Sequence, residues 1–150
     1  MAASARPRAD KPDTEATGDT ARIPIASEAD ILTARRRARE MAARLGFWSV
    51  EKNFIVMAVS EIALNILQYA GRGEIILSIT RRGDGTPGIE VVARDQGPGI
   101  ADLGLALQEG YSSSGRTGLG LPGARRLMDE FEIHSEPGRG TTVIMKKWLH

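Results

Sequence analysis

The sequence predicts an α+β fold: a two-layer sandwich in which a mixed, mainly antiparallel sheet carries helices on one face. Three observations predict it. Two long segments of helical apolar spacing stand together near the start. Two stretches of period-two alternation are each folded back by a Gly-containing turn, which is hairpin patterning. Strands and helices do not alternate as βα units, so a doubly wound parallel sheet is not expected.

The elements follow in order. Residues 1–20 contain no Val, Ile, Leu, Phe, Trp or Tyr and read as a disordered tail, because they cannot offset chain entropy by burial. Residues 21–150 then form one domain. Arg22–Ala26 suits a short edge strand, since Pro24 cannot donate to a ladder. Ser27 with Asp30 three residues on resembles a capping box and starts a helix carrying Ile31, Leu32, Met41, Ala42 and Leu45, with Gly46 as its stop. A second helix runs from about Ser49 to Ala70, with Ile55, Val59, Ile62 and Ile66 on one stripe; Gly71 and Gly73 end it. Glu74–Arg82 and Ile89–Asp95 make the first hairpin around the turn at 83–88. Pro98–Thr117 is Gly- and Ser-rich, with one amphipathic piece at Leu103–Leu107. A helix from Leu121 to Glu130 follows, and Phe131–Ser135 with Thr141–Leu149 make the last hairpin.

Composition removes several functions. Cysteine is absent and only His134 and His150 carry imidazole, which excludes disulfides, thiolate zinc sites and a cysteine nucleophile. Twenty basic and 19 acidic residues give a net charge of +1, so no basic face for nucleic acid is expected. No apolar run approaches the ~20 residues of a membrane span, and no signal-peptide segment is seen, so a cytoplasmic protein is expected. Glycine is the outlier. Its 17 residues are about 11% against a usual ~7%, and eight of them fall between Gly97 and Gly123, where backbone must turn sharply or approach something closely.

Two motifs in that stretch mislead. Gly110-Tyr-Ser-Ser-Ser-Gly115-Arg116-Thr117 nearly has P-loop spacing but puts Arg in place of Lys and follows a helical segment rather than a strand. Gly118-Leu-Gly120-Leu-Pro-Gly123 spells G-x-G-x-x-G without the surrounding βαβ unit. The loop nevertheless enters a helix, and N–H groups at a helix N-terminus suit phosphate oxygens in any fold.

Four further elements carry chemistry by their order. Glu61 and Asn65, four apart on a helix, project from one face of the apolar segment Phe54–Leu67. Taken alone, the pair reads as an exposed polar stripe. Asp95-Gln-Gly97-Pro-Gly99 ends a strand with a carboxylate able to accept from an exocyclic amine and two glycines able to lie against a flat ring; it is equally a polar turn. Gly118–Gly120 and Gly140-Thr141-Thr142 complete the series.

In that order and spacing the chain resembles the GHKL, or Bergerat-fold, ATPases over residues 21–150. Glu61–Asn65 matches the N box, Asp95–Gly99 the G1 box, Gly118–Gly120 the G2 box and Gly140–Thr141 the G3 box. Within that superfamily Glu61-Ile-Ala-Leu-Asn65-Ile-Leu-Gln-Tyr69-Ala-Gly-Arg-Gly73, Asp95–Ile100, Gly120–Gly123 and Arg126–Phe131 are similar to the RsbT-type serine/threonine switch kinases of bacterial stress-response partner switching. The sister anti-sigma kinases typically have His-Ala-Tyr where this chain has Tyr69-Ala70-Gly71.

The resemblance implies ATP and Mg²⁺ as cofactors. It implies that Asp95 accepts from the adenine amine with help from Thr141, and that Gly97 and Gly99 admit the base. It gives Asn65 to Mg²⁺, Gly118 and Gly120 to the phosphates, and residues 101–117 to a flexible lid. Arg116 becomes a γ-phosphate clamp, its other reading being a solvated loop arginine, and Glu61 the general base. The implied partner is a STAS-domain anti-sigma-factor antagonist or a stressosome-like protein, with a PP2C-type phosphatase or a sigma factor as further candidates. Two other functions stay open: a nucleotide-gated binding module, and a detached histidine-kinase catalytic domain. His134, in a strand apart from these motifs, reads as a structural or surface residue. The Arg35, Arg36, Arg37, Arg39 run reads as a solvated helix face, with docking of an acidic partner as its alternative, and Ser112–Ser114 as flexible loop.

Overall fold

The structure, a computed structural model, describes residues 20–99 and 120–150. The order is β1 (Thr20–Ile25), α1 (Glu28–Leu45), α2 (Ser49–Tyr69), β2 (Gly73–Arg81), β3 (Pro87–Asp95), α3 (Gly120–Leu127), β4 (Glu130–Glu136) and β5 (Gly140–Trp148). The five strands form one sheet in the order β1-β2-β3-β5-β4. Every pairing among the described residues is antiparallel, so the mixed character expected from sequence is absent there. The expected lid and the Leu103–Leu107 helix lie outside the described residues.

Register sorts the side chains. Ile23, Ile75, Ala93 and Val143 stand level across four strands, and so do Ala21, Leu77, Val91 and Met145. All eight are buried, because alternate residues of each strand face the helices. The opposite face carries Ile76, Val92 and Ile144 in one half-buried row, bordered by polar residues. Pro24 sits on the edge strand, where its missing N–H costs no ladder bond.

The helix ends follow their capping residues. Ser27 is extended, and the Asp30 carboxylate accepts the N–H groups of Ala26 at 2.8 Å and Ser27 at 3.1 Å. Gly46 closes α1 in the left-handed conformation at φ 96°, donating to the carbonyls of Ala42 and Ala43. Gly71, at φ 82°, ends α2 by donating to the Ile66 carbonyl. Ile55, Val59, Ile62 and Ile66 form the buried seam of α2, as their spacing predicts. α2 lies between α1 and α3 and makes contacts with both.

α3 ends at Leu127, three residues before the Glu130 expected from sequence. The cause is a set of tertiary bonds. The Asp129 N–H donates to the Lys146 carbonyl at 2.9 Å, and the Asp129 carboxylate accepts the Trp148 N–H at 2.8 Å. Lys147, 7% exposed, donates from Nζ to the Leu127 carbonyl at 3.0 Å. A buried ammonium so held satisfies a carbonyl that the helix leaves unpaired. The Glu130 carboxylate accepts the Trp148 indole N–H at 2.8 Å, which commits residue 130 to β4.

Candidate functional site

Asp95 is the last residue of β3 and stands level with Gly73 on β2 and Thr141 on β5. Its Oδ1 accepts the Gly97 N–H at 2.8 Å. Its Oδ2 has no hydrogen-bond partner among the described residues. Thr141 Oγ1 lies 2.8 Å from Ser135 Oγ, and Ser135 also donates to the Gly140 carbonyl at 3.1 Å. The odd-numbered positions Asp95, Thr141 and Ser135 therefore sit on the helix side of the sheet, at the end where β3 and β5 meet.

The glycines of this corner have a reason sequence did not supply. A Cβ on Gly97 would lie 2.6 Å from the Ala70 Cβ, just past the end of α2. Gly99, at φ 80°, lies against the Glu136 carbonyl, and Gly140, at φ 85°, against the Asp95 carbonyl; a Cβ at either would overlap those atoms. The Gly138 N–H donates to the Pro98 carbonyl at 2.7 Å. Backbone thus stacks on backbone, locking the turn after β3 to the end of α2 and to the β4–β5 turn. Close approach by the protein itself accounts for Gly97 and Gly99 before any ligand is considered. Gly73, read from sequence only as a helix stop, belongs to the same set: a Cβ there would meet the Arg94 carbonyl and Ile66.

Glu61 and Asn65 project from α2, four residues apart and both half-buried. The Asn65 amide has no hydrogen-bond partner among the described residues. Because Gly97 packs on Ala70, the turn holding Asp95 lies about one helical turn beyond Asn65 along α2. Gly120 opens α3, which packs against α2. Gly118 and Arg116 lie outside the described residues. His134 is level with Thr142 and so nearer to the Gly140–Thr141 corner along the chain than sequence suggested; it is nonetheless on the outer face, with Nε2 2.9 Å from Glu132.

The arrangement offers a carboxylate oxygen for an exocyclic amine, an amide oxygen for a hard cation, and a second carboxylate on the same helix. Among the described residues no group of three or more His, Cys, Asp or Glu could hold a metal. An ion bound here would take few protein ligands and the rest from phosphate and water, a habit of magnesium.

Comparison with known proteins decides the family. Residues 25–147 match the histidine kinase-like ATPase domain. The chain belongs to that family. Among curated members it is 45% identical to the serine/threonine-protein kinase RsbT of Bacillus subtilis over 132 residues, 87% of this chain and 98% of that one. It is 35% identical to an anti-sigma F factor of Caldanaerobacter subterraneus over 77% of this chain and 83% of the relative. Two solved structures share the fold. The RsbU and RsbW domains of a Mycobacterium tuberculosis protein superpose with TM-score 0.59 at 23% identity over 85% of this chain, which spans about a third (32%) of that structure. The mycobacterial sensor histidine kinase MprB superposes with TM-score 0.53 at 18% identity, covering 83% of this chain and 95% of that one.

This histidine kinase-like ATPase domain is a serine/threonine protein kinase of the partner-switching type, and it uses ATP. The α+β fold expected from sequence stands, with its helices on one face of the sheet. No described helix is long and apolar enough to cross a membrane.

Proposed function

We propose that the chain transfers the γ-phosphoryl group of Mg-ATP to a serine or threonine of a STAS-domain regulatory protein. The observation that carries this reading is a pair of groups without hydrogen-bond partners among the described residues, Asp95 Oδ2 and the Asn65 amide, on either side of the Gly97–Ala70 contact.

Asp95 Oδ2 accepts from the adenine amine, and Thr141, steadied by Ser135, lines the base end. Asn65 offers its amide oxygen to Mg²⁺, and Gly118 and Gly120 offer backbone N–H groups to the phosphates. Mg²⁺ when bound neutralises charge on the phosphate oxygens. Arg116 contributes a guanidinium that suits bidentate contact with phosphoryl oxygens. Glu61 takes the proton of the incoming hydroxyl. The new bond joins that hydroxyl oxygen to the γ-phosphorus while the bond from phosphorus to the ADP oxygen breaks. Placement of charge, more than covalent chemistry, lowers such a barrier.

The test is incubation with STAS-domain proteins of the source genome and Mg-ATP, followed by intact mass and site mapping. Phosphate on a Ser or Thr of one of them is expected, with transfer about 10²–10⁴-fold slower for Glu61→Gln at unchanged ATP affinity. A panel with no phosphorylated member, or undiminished transfer by Glu61→Gln, overturns the reading.

The similarity to an anti-sigma F factor favours a second role, nucleotide-gated binding of a sigma factor or of a PP2C-type phosphatase. A partner whose activity responds fully to the transfer-deficient Glu61→Gln protein would place binding ahead of catalysis.

A further inference from the structure

α2 carries apolar residues on every side. Its inner seam meets the sheet, and its flanks meet α1 and α3. A helix apolar all round is ordinarily covered all round. No described element covers the fourth side of α2, and it keeps apolar residues: Val50 is 61% exposed, Phe54 36% and Met57 41%, with Trp48 just before the helix at 80%. Positions 50, 54, 57 and 61 follow helical spacing, so this stripe runs directly to Glu61. Val50 and Glu61 are roughly 17 Å apart along the axis.

α1 supplies the rim. The Arg39 guanidinium donates to the Asn53 Oδ1 at 3.1 Å, which fixes how the two helices lie side by side. Joined by a short turn, they run antiparallel. Seven residues before Arg39, Leu32 falls level with Ser60, beside Glu61, and it is 61% exposed. Arg36 and Arg39 are exposed along the same border. The surface is therefore an apolar strip with a basic margin, continuous with the carboxylate that faces the incoming hydroxyl. Its complement is an apolar surface bordered by acidic side chains.

We propose that this face of α2 and α1, with Val50, Phe54 and Met57 at its centre and Arg36 and Arg39 on its margin, is where the protein substrate docks, presenting its apolar and acidic surface so that its hydroxyl reaches Glu61. A protein kinase must seat a folded partner over its phosphate end. A footprint of standard size, about 800 Å² per partner, extends far enough from Glu61 to cover the stripe. The inference rests on the kinase reading above.

Val50→Asp and Met57→Asp place a charge at exposed positions and spare the core. With a STAS-domain protein that the wild type phosphorylates as probe, each is expected to raise KM for that protein about tenfold or more. ATP affinity, the melting temperature and the rate at saturating substrate should stay near wild type. Arg36→Glu should raise KM similarly at low salt, with the difference shrinking as salt screens the pair. Unchanged KM in both apolar variants overturns the docking surface while leaving the kinase intact. Lost ATP binding in both would show that the stripe supports the nucleotide site instead, and would overturn it too. Absence of transfer by the wild type removes the kinase reading itself, and this inference with it.

Discussion

Asp95 holds the N–H of Gly97 with one carboxylate oxygen, at 2.8 Å, and leaves the other without a hydrogen-bond partner among the described residues. The same side chain therefore shapes the turn and presents an acceptor.

Asp95→Asn separates those tasks. The amide oxygen can still accept from Gly97, which leaves an NH₂ facing the adenine amine, donor against donor. A hydrogen bond to a charged acceptor is worth about 1.5–3 kcal/mol, so ATP affinity should fall roughly 10- to 100-fold with the fold intact. Calorimetric titration with ATP, beside a circular dichroism melt, checks both halves. Wild-type affinity would remove Asp95 from the nucleotide site.

Two glycines with nearly equal φ make a second prediction. Gly138 (φ 80°) has open space where its Cβ would be, whereas a Cβ on Gly140 (φ 85°) would overlap the Asp95 carbonyl. Gly138→Ala should cost about 1–2 kcal/mol from backbone strain alone. Gly140→Ala adds overpacking and should cost roughly 3 kcal/mol or more, and weaken ATP binding by shifting Asp95. Urea denaturation of both variants measures the difference; equal losses would show that the contact yields easily.

Asp84 gives a pH dependence at the end of the hairpin opposite Asp95. The Thr86 N–H, then the Thr86 and Arg82 side chains, lower its pKa from 3.8 to about 2. A depressed carboxylate pKa favours the folded state above the unfolded value, and that contribution fades as pH falls from about 4 towards 2. The Asp84 carboxyl carbon should titrate near 2 by NMR, and Asp84→Asn should flatten the stability profile in that window. A midpoint near 3.8 would mean that the turn at 82–86 opens in solution.

Much of this was legible in the residues. Ser27, Asp30, Gly46 and Gly71 announced the helix ends because caps act within a few residues. Pro24 announced an edge for the same local reason. The end of α3 was not legible. Asp129 and Glu130 suit a helix as well as a strand, and what decides between them is Trp148 and Lys147, nearly twenty residues on. The support of Thr141 by Ser135 could have been found by counting back from the turn at 136–140. The open side of α2 could not. Apolar residues occupy every side of that helix, so periodicity names no outward face; only the positions of α1 and α3 do.

β5 carries Thr141, level with Asp95, near its start and Lys147, whose ammonium donates to the last carbonyl of α3, near its end. One strand thus positions both contacts, with five residues between them and a span of roughly 20 Å. It works as a gauge block. Removing a single residue between Thr141 and Lys147 would turn one of them to the wrong face of the sheet. The placement of Thr141 beside Asp95 and the seating of α3 are therefore coupled by residue count, a constraint that no substitution within the strand relaxes.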